Sequence, residues 1–188
     1  MYGIIENIST KKEVKKIRSD YVKTDTISAL LWALQPANSL ACKLALETGW
    51  RIDDILSLKT DELKKCRMKK RHSLTITESK TGKRSTRVLP LQLIEGLLEQ
   101  AGRIYVFEGR DDYRKHRTRQ AVFADLKRVA KRFNIKINLS PHSLRKNYAV
   151  YLKNSGRTLE EIGAAMNHDN ITTTIIYALS DELTEKYK

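Results

Sequence analysis

Apolar residues along the chain recur mostly at the three-to-four residue spacing of amphipathic helices, interrupted by one stretch of strict alternation. TISALLWALQ (26–35) predicts a helix, and Pro36 marks its boundary. A strongly apolar second helix runs from about Leu40 to Glu47 and is broken by Gly49; a further helix carries Arg51, Asp54, Ile55 and Leu58. SLTITES (73–79) and RSTRVL (84–89) alternate as strands and enclose KTGK, where Gly82 predicts a turn and hence a hairpin with a basic tip. A helix over 91–100 follows, then a short buried segment (105–107), a polar linker (108–117) and an amphipathic helix from about Thr118 to Phe133 with Val122, Leu126, Val129 and Ala130 on one face. Ser140 as cap and Pro141 in the first turn open a helix that carries His142, Arg145, Tyr148, Ala149 and Leu152 and ends at Ser155 and Gly156. Thr158 and Glu161 form a capping-box pattern before LEEIGAAM, residues 167–170 turn the chain, and ITTTIIYAL holds Tyr177 in a last helical segment. The fold class is mainly α with a small antiparallel β hairpin. Residues 24–188 read as one domain, and residues 1–23 as an N-terminal arm or linker remnant.

Charge adds the partner. The 188 residues hold 36 Lys and Arg against 22 Asp and Glu, a formal charge of +14. Such an excess suits a polyanion, DNA or RNA, and says nothing of the fold. The basic residues cluster. KKCRMKKR (64–71) precedes the hairpin, which adds Lys80, Lys83, Arg84 and Arg87, and the 118–133 helix carries another group. From these, Lys69, Lys70, Arg71, Lys83, Arg84, Arg87, Lys127, Arg128, Lys131 and Arg132 are the candidate DNA-binding residues. Taken singly, each cluster is as well read as a solvated face. The chain shows neither an apolar run long enough to span a bilayer nor a signal-peptide pattern, so a cytoplasmic location is expected. Cys42 reads as core and Cys66 lies in a basic segment; neither suggests a disulfide framework or a metal cluster.

The remaining polar residues suggest chemistry. His142 and Arg145 stand three apart on one helix, as do Arg51 and Asp54; His168 lies in a turn, Tyr177 nine residues later, and Lys80 at the hairpin tip. Two arginines, two histidines, a lysine and a tyrosine suit phosphoryl transfer. The guanidinium groups hold nonbridging oxygens and stabilise charge in the transition state. A tyrosine is a nucleophile once a neighbour takes its proton, and a lysine protonates a leaving alkoxide. The scheme needs no metal and no other cofactor. Residue by residue, a plain role as surface arginine, capping histidine or half-buried core tyrosine is the commoner explanation.

Their order changes that balance. ETGWRIDDILSLKTDEL, SKTGKRSTRVLPL, SPHSLRKNYAVYL and MNHDNITTTIIYAL resemble, in sequence order, the four blocks of the tyrosine recombinase (phage integrase) catalytic domain, over about residues 26–180. The resemblance implies Arg51, Lys80, His142, Arg145, His168 and Tyr177 as catalytic residues, with Asp54 supporting the site and Lys83 the weaker candidate for the lysine. Trp50 stands where leucine is usual, Asn167 where glycine is usual, and Asp54 where glutamate is common. What the resemblance implies is a site-specific recombinase or integrase: Tyr177 attacks a DNA phosphate to give a 3′-phosphotyrosine, and a 5′-hydroxyl later reverses the step. It implies no cofactor, double-stranded DNA as partner, and a tetramer on DNA, the isolated domain being compatible with a monomer. Family members usually carry a further N-terminal DNA-binding domain, so the chain is either part of a longer recombinase or a minimal member. Two alternatives stay open: an accessory, non-catalytic DNA-binding module of a mobile element, and a nicking-closing enzyme like type IB topoisomerases.

Overall fold

The computed structural model describes residues 19–186. Among them the order is α1 (Thr24–Ala33), α2 (Pro36–Thr48), α3 (Ile52–Leu56), α4 (Thr60–Met68), β1 (Ser73–Thr77), β2 (Arg84–Val88), α5 (Leu91–Glu99), α6 (Arg119–Arg132), α7 (Pro141–Asn154), α8 (Leu159–Ala165), α9 (Ile171–Ala178) and α10 (Ser180–Lys186). The two strands pair antiparallel with Ser73 opposite Val88 and Thr77 opposite Arg84. The expected mainly helical fold with one hairpin is therefore what the chain adopts.

The helix ends follow their local chemistry. Ser140 Oγ accepts from the His142 amide at 3.2 Å and Pro141 occupies the first turn of α7. At α8, Glu161 N donates to Thr158 Oγ1 at 3.2 Å while Thr158 N donates to Glu161 Oε2 at 3.0 Å, the reciprocal capping pattern read from the sequence. Gly49 ends α2 at φ +68°, and its amide bonds Ala45 O at 2.9 Å.

One expectation needs correction, and one helix was not anticipated. The helix around Arg51 to Leu58 shrinks to α3, with Arg51 as its N-cap and Leu58 beyond its end. The basic stretch 64–71 is in large part a helix, α4, which buries Thr60, Leu63 and Cys66. Its inward stripe holds few large apolar residues, so the helical period is faint beneath the lysines.

The main core joins α1 to α6 and the hairpin through residues such as Leu44, Ile55, Leu63, Leu97 and Leu126. A smaller cluster, Tyr148, Ala149, Ile162, Met166 and Ala178, lies among α7, α8 and α9. Cys42 and Cys66 are both fully buried, and burial pushes the Cys42 thiol up to about 12. Residues 19–23 lie against this body. Asn147 on α7 donates to Val22 O at 2.6 Å and accepts from Val22 N at 3.3 Å, and Tyr21 N donates to Thr184 Oγ1 at 3.3 Å. The rest of the expected arm, residues 1–18, lies outside the described residues.

Candidate active site

Helix α7 begins at the edge of a cleft, so its first turns place His142 at the surface and Arg145 in the interior on one face. Tyr177, in the last turn of α9, meets that face: its Oη lies 3.2 Å from His142 Nδ1. The His168 ring stands edge-on to the Tyr177 ring, centroids 5.0 Å apart at 80°. His168 Nδ1 lies 3.1 Å from the hydroxyl of Thr174, which is buried one helical turn before Tyr177. Thus four of the six expected catalytic residues come together from α7, α9 and the turn between α8 and α9.

Arg145 is 3% exposed. It donates to Gly49 O and, at 3.1 Å, to Met166 O, the residues that close α2 and α8. These carbonyls sit at the negative ends of two helices, a setting that favours a buried cation. Arg51, the N-cap of α3, pairs with the buried carboxylate of Glu78. Asp54 accepts both the amide (2.9 Å) and the hydroxyl (2.7 Å) of Ser79, next to Lys80. Its other oxygen, Oδ2, is buried without a partner among the described residues. Arg51, Lys80, His142 and Arg145 line a cleft of about 500 Å³ together with Asp53, Ser79, Arg119 and Phe123.

Residues 10–183 match the profile of the phage integrase family. The chain belongs to that family. It is 30% identical over 188 aligned residues to a tyrosine recombinase of Thermosipho africanus, covering 93% of this chain and 63% of that protein. It is 27% identical to the tyrosine recombinase XerD of Corynebacterium glutamicum over 78% of this chain and 50% of the relative. The chain thus spans half to under two thirds of these relatives' length. Among solved structures, the XerA recombinase superposes with a TM-score of 0.68 at 17% identity, covering 89% of this chain and 64% of that one. The catalytic domain of bacteriophage HP1 integrase gives 0.61 at 18% identity, covering 90% and 95%. At these identities the likeness is one of fold.

The electrostatics of this integrase-family cleft are cationic. Burial, then repulsion from Arg145 and Arg51, lowers the His168 pKa to about 4. Partial desolvation, then Arg145, Arg119, Arg51 and Lys146, lowers that of His142. Both imidazoles are therefore neutral near pH 7, and the His142 tautomer with its proton on Nε2 is the one that can accept the Tyr177 hydroxyl hydrogen at Nδ1. Burial raises the Tyr177 pKa; Arg145 and Arg51 oppose this without cancelling it, so the resting phenol is protonated. Burial brings Arg145 down to about 10, with Arg51 adding to the effect, which leaves it charged at neutral pH.

Two of the three departures from the family pattern, Trp50 and Asn167, are accommodated. Trp50 is buried and donates its indole N–H to Ser85 Oγ at 2.8 Å. Asn167 takes the left-handed conformation, φ +50°, that glycine would adopt without strain.

The candidate DNA-binding residues divide. Lys70, Arg71, Arg84, Lys131 and Arg132 are exposed. Lys69 Nζ donates to Ser73 O at 2.8 Å, Lys127 to Asn138 Oδ1 at 3.1 Å, and Lys83 pairs with Asp169. Arg87 is engaged within the chain, donating to Thr48 O at 3.1 Å and to Ala165 O, so it ties together the ends of α2 and α8. Arg128 pairs with the buried Asp125 and donates to Ala33 O at 2.9 Å. Arg132 also stands about 20 Å along α6 from Arg119 at the cleft, by the helical rise.

Sequence reading missed Glu78, Arg119, Lys146 and Thr174. One signal was available for Glu78: the alternation of β1 points Leu74 and Ile76 inward, and two residues on it brings a carboxylate to the same side. Lys146, next to Arg145, is 3% exposed, bonds Ser19 O, and places its ammonium 5.8 Å from the Tyr177 ring centroid.

Proposed function

We propose that the chain is the catalytic domain of a site-specific DNA recombinase that cuts and rejoins strands through a tyrosine-linked intermediate. The observation that carries this reading is the 3.2 Å contact between the Tyr177 hydroxyl and a neutral His142 in a cleft that also holds Arg51, Lys80 and Arg145. In this reading residues 24–188 are the catalytic domain and residues 1–23 an N-terminal arm or linker remnant.

In this mechanism Arg51 and Arg145 hold the nonbridging oxygens of the scissile phosphate, and His168 adds a hydrogen bond. The Tyr177 oxygen attacks phosphorus in line while its proton passes to His142. The P–O5′ bond breaks, and Lys80 gives a proton to the departing 5′-oxygen. The product is a 3′-phosphotyrosine and a free 5′-hydroxyl. Attack by a 5′-hydroxyl of the same or a partner strand runs the steps in reverse, so the phosphodiester bond is conserved. Asp54 supports the cleft by holding Ser79 beside Lys80.

Duplex DNA is the substrate. Phosphate contacts from Lys69, Lys70, Arg71, Lys83, Arg84, Lys127, Lys131 and Arg132, with Arg87 and Arg128 in part reserved for internal contacts, position it without reading bases. Exchange between two duplexes requires four strand cleavages, and a tetramer on DNA supplies one site for each. XerH, bound to a palindromic difH substrate in its solved post-cleavage complex, shares the fold at a TM-score of 0.68.

The test is to incubate the chain with DNA from its own genomic neighbourhood, denature in detergent and look for protein-linked fragments. An adduct with the wild type that is lost in Tyr177→Phe supports the reading. Salt-sensitive DNA binding without an adduct overturns it in favour of an accessory binding module. Relaxation of supercoils without a preferred site supports a topoisomerase-like activity instead.

A further inference from the structure

We propose that Glu78 is a positioning residue for strand cleavage, joining Arg51, the turn that carries Lys80 and the turn that carries His168 into one rigid unit. The proposal rests on the recombinase reading of the cleft.

Glu78 directly follows β1 and is 2% exposed. A carboxylate so buried survives only if it is paired and hydrogen-bonded. Its Oε2 accepts from Arg51 and, at 2.9 Å, from the Thr81 hydroxyl. Its main chain closes the same turn: Glu78 N donates to Lys83 O at 2.9 Å and Gly82 N donates to Glu78 O at 2.8 Å. Lys80 lies inside that loop. On the other side stands Asn167, one residue before His168. Its side-chain nitrogen is buried with no partner of ordinary hydrogen-bond geometry among the described residues, and its influence on Glu78 favours the ionised carboxyl. Burial opposes ionisation of Glu78, and Asn167, Thr81 and Arg51 together outweigh it, so the carboxyl stays below its ordinary pKa.

The arrangement has a consequence for catalysis. Arg51 and Arg145 repel one another across the cleft. A fixed negative charge behind Arg51 offsets that repulsion and holds the guanidinium in one orientation, with Nη1 directed at Glu78. Asp54 acts alongside it through Ser79, so acids on both sides of Lys80 secure the hairpin end. Orientation of this kind bears on the transition state more than on ground-state binding, because phosphate attraction depends on charge and cleavage depends on placement.

The experiment compares Glu78→Ala and Glu78→Gln with the wild type in three readouts: adduct formation at saturating DNA, affinity for the same DNA, and thermal midpoint. The expected result is a cleavage rate lower by about 10- to 100-fold in Glu78→Ala, with partial recovery in Glu78→Gln, which keeps an acceptor oxygen. DNA affinity stays level or tightens, since the cleft becomes more positive. Cleavage by both variants at the wild-type rate overturns the proposal. So does a parallel fall of rate, affinity and thermal midpoint, which marks Glu78 as part of the general framework. A wild-type chain that forms no adduct overturns the recombinase reading itself, and the positioning role falls with it.

Discussion

Tyr177 Oη and His142 Nδ1 stand 3.2 Å apart, although the two residues are 35 positions apart in sequence and sit on different helices. The phenol is protonated at rest and the imidazole is neutral, the protonation states that the proposed transfer from Tyr177 to His142 requires. His142→Ala is expected to slow adduct formation by about 10²- to 10⁴-fold while DNA binding persists. Because the cleft lowers the His142 pKa, the base form survives below the ordinary histidine value of about 6.5. The wild-type pH–rate profile should therefore hold its plateau to below pH 6.5 before falling, and a fall centred above that value would count against His142 as the base.

Lys80 is exposed at the cleft and has no hydrogen bond or ion pair among the described residues, which leaves its ammonium free for the proposed role as acid to the leaving 5′-oxygen. Lys80→Ala should cleave ordinary DNA about 10²-fold or more slowly. A substrate whose bridging 5′-oxygen is replaced by sulfur leaves as a thiolate and needs no proton. On that substrate the variant should regain most of the wild-type rate. Equal defects on both substrates would move Lys80 from acid to phosphate holder.

His168 links the site to acid stability. Its folded pKa of about 4 lies below the ordinary 6.5. Between these values the unfolded chain binds the proton and the folded chain does not, so stability falls as pH drops from 6.5 to 4 and this contribution levels off below 4. The loss is at most about 3 kcal/mol. Urea unfolding at pH 7 and pH 4.5 should show a smaller difference in His168→Asn than in the wild type.

Gly49 is constrained by its backbone and also holds Arg145. Its φ is +68°, a Cβ there would lie 2.2 Å from Tyr148 Cδ1, and its carbonyl accepts from Arg145. Gly49→Ala should cost about 2–4 kcal/mol of stability, measured by denaturant unfolding. Cleavage should fall further than the loss of folded protein accounts for, since the clash shifts the support of Arg145.

Much of this molecule is written locally. The hairpin around Gly82, the cap at Ser140 with Pro141, the capping box at Thr158 and Glu161, and the inward faces of α6 and α7 depend on neighbours within a few residues. Sequence spacing therefore specifies them. The ordered motifs likewise named Arg51, Lys80, His142, Arg145, His168 and Tyr177 as one set. Helix α4 was hidden because lysines and arginines mask its short buried stripe. Arg87 and Arg128 were legible only as positive charge; the carbonyls that engage them come from distant segments, although the Asp125 carboxylate lies just one helical turn before Arg128.

Sequence alone thus determined the helical class, the hairpin and the basic character, and it proposed the residues of the site, because periodicity, turn chemistry and motif order act over short distances. Tertiary structure alone determined that His142 faces Tyr177, that Arg145 seals the ends of two helices, and that Glu78 stands behind Arg51. Those relations arise where α7, α9, the hairpin and two helix C-termini converge. The distances and the dielectric surroundings that set their pKa values exist only once the chain has packed.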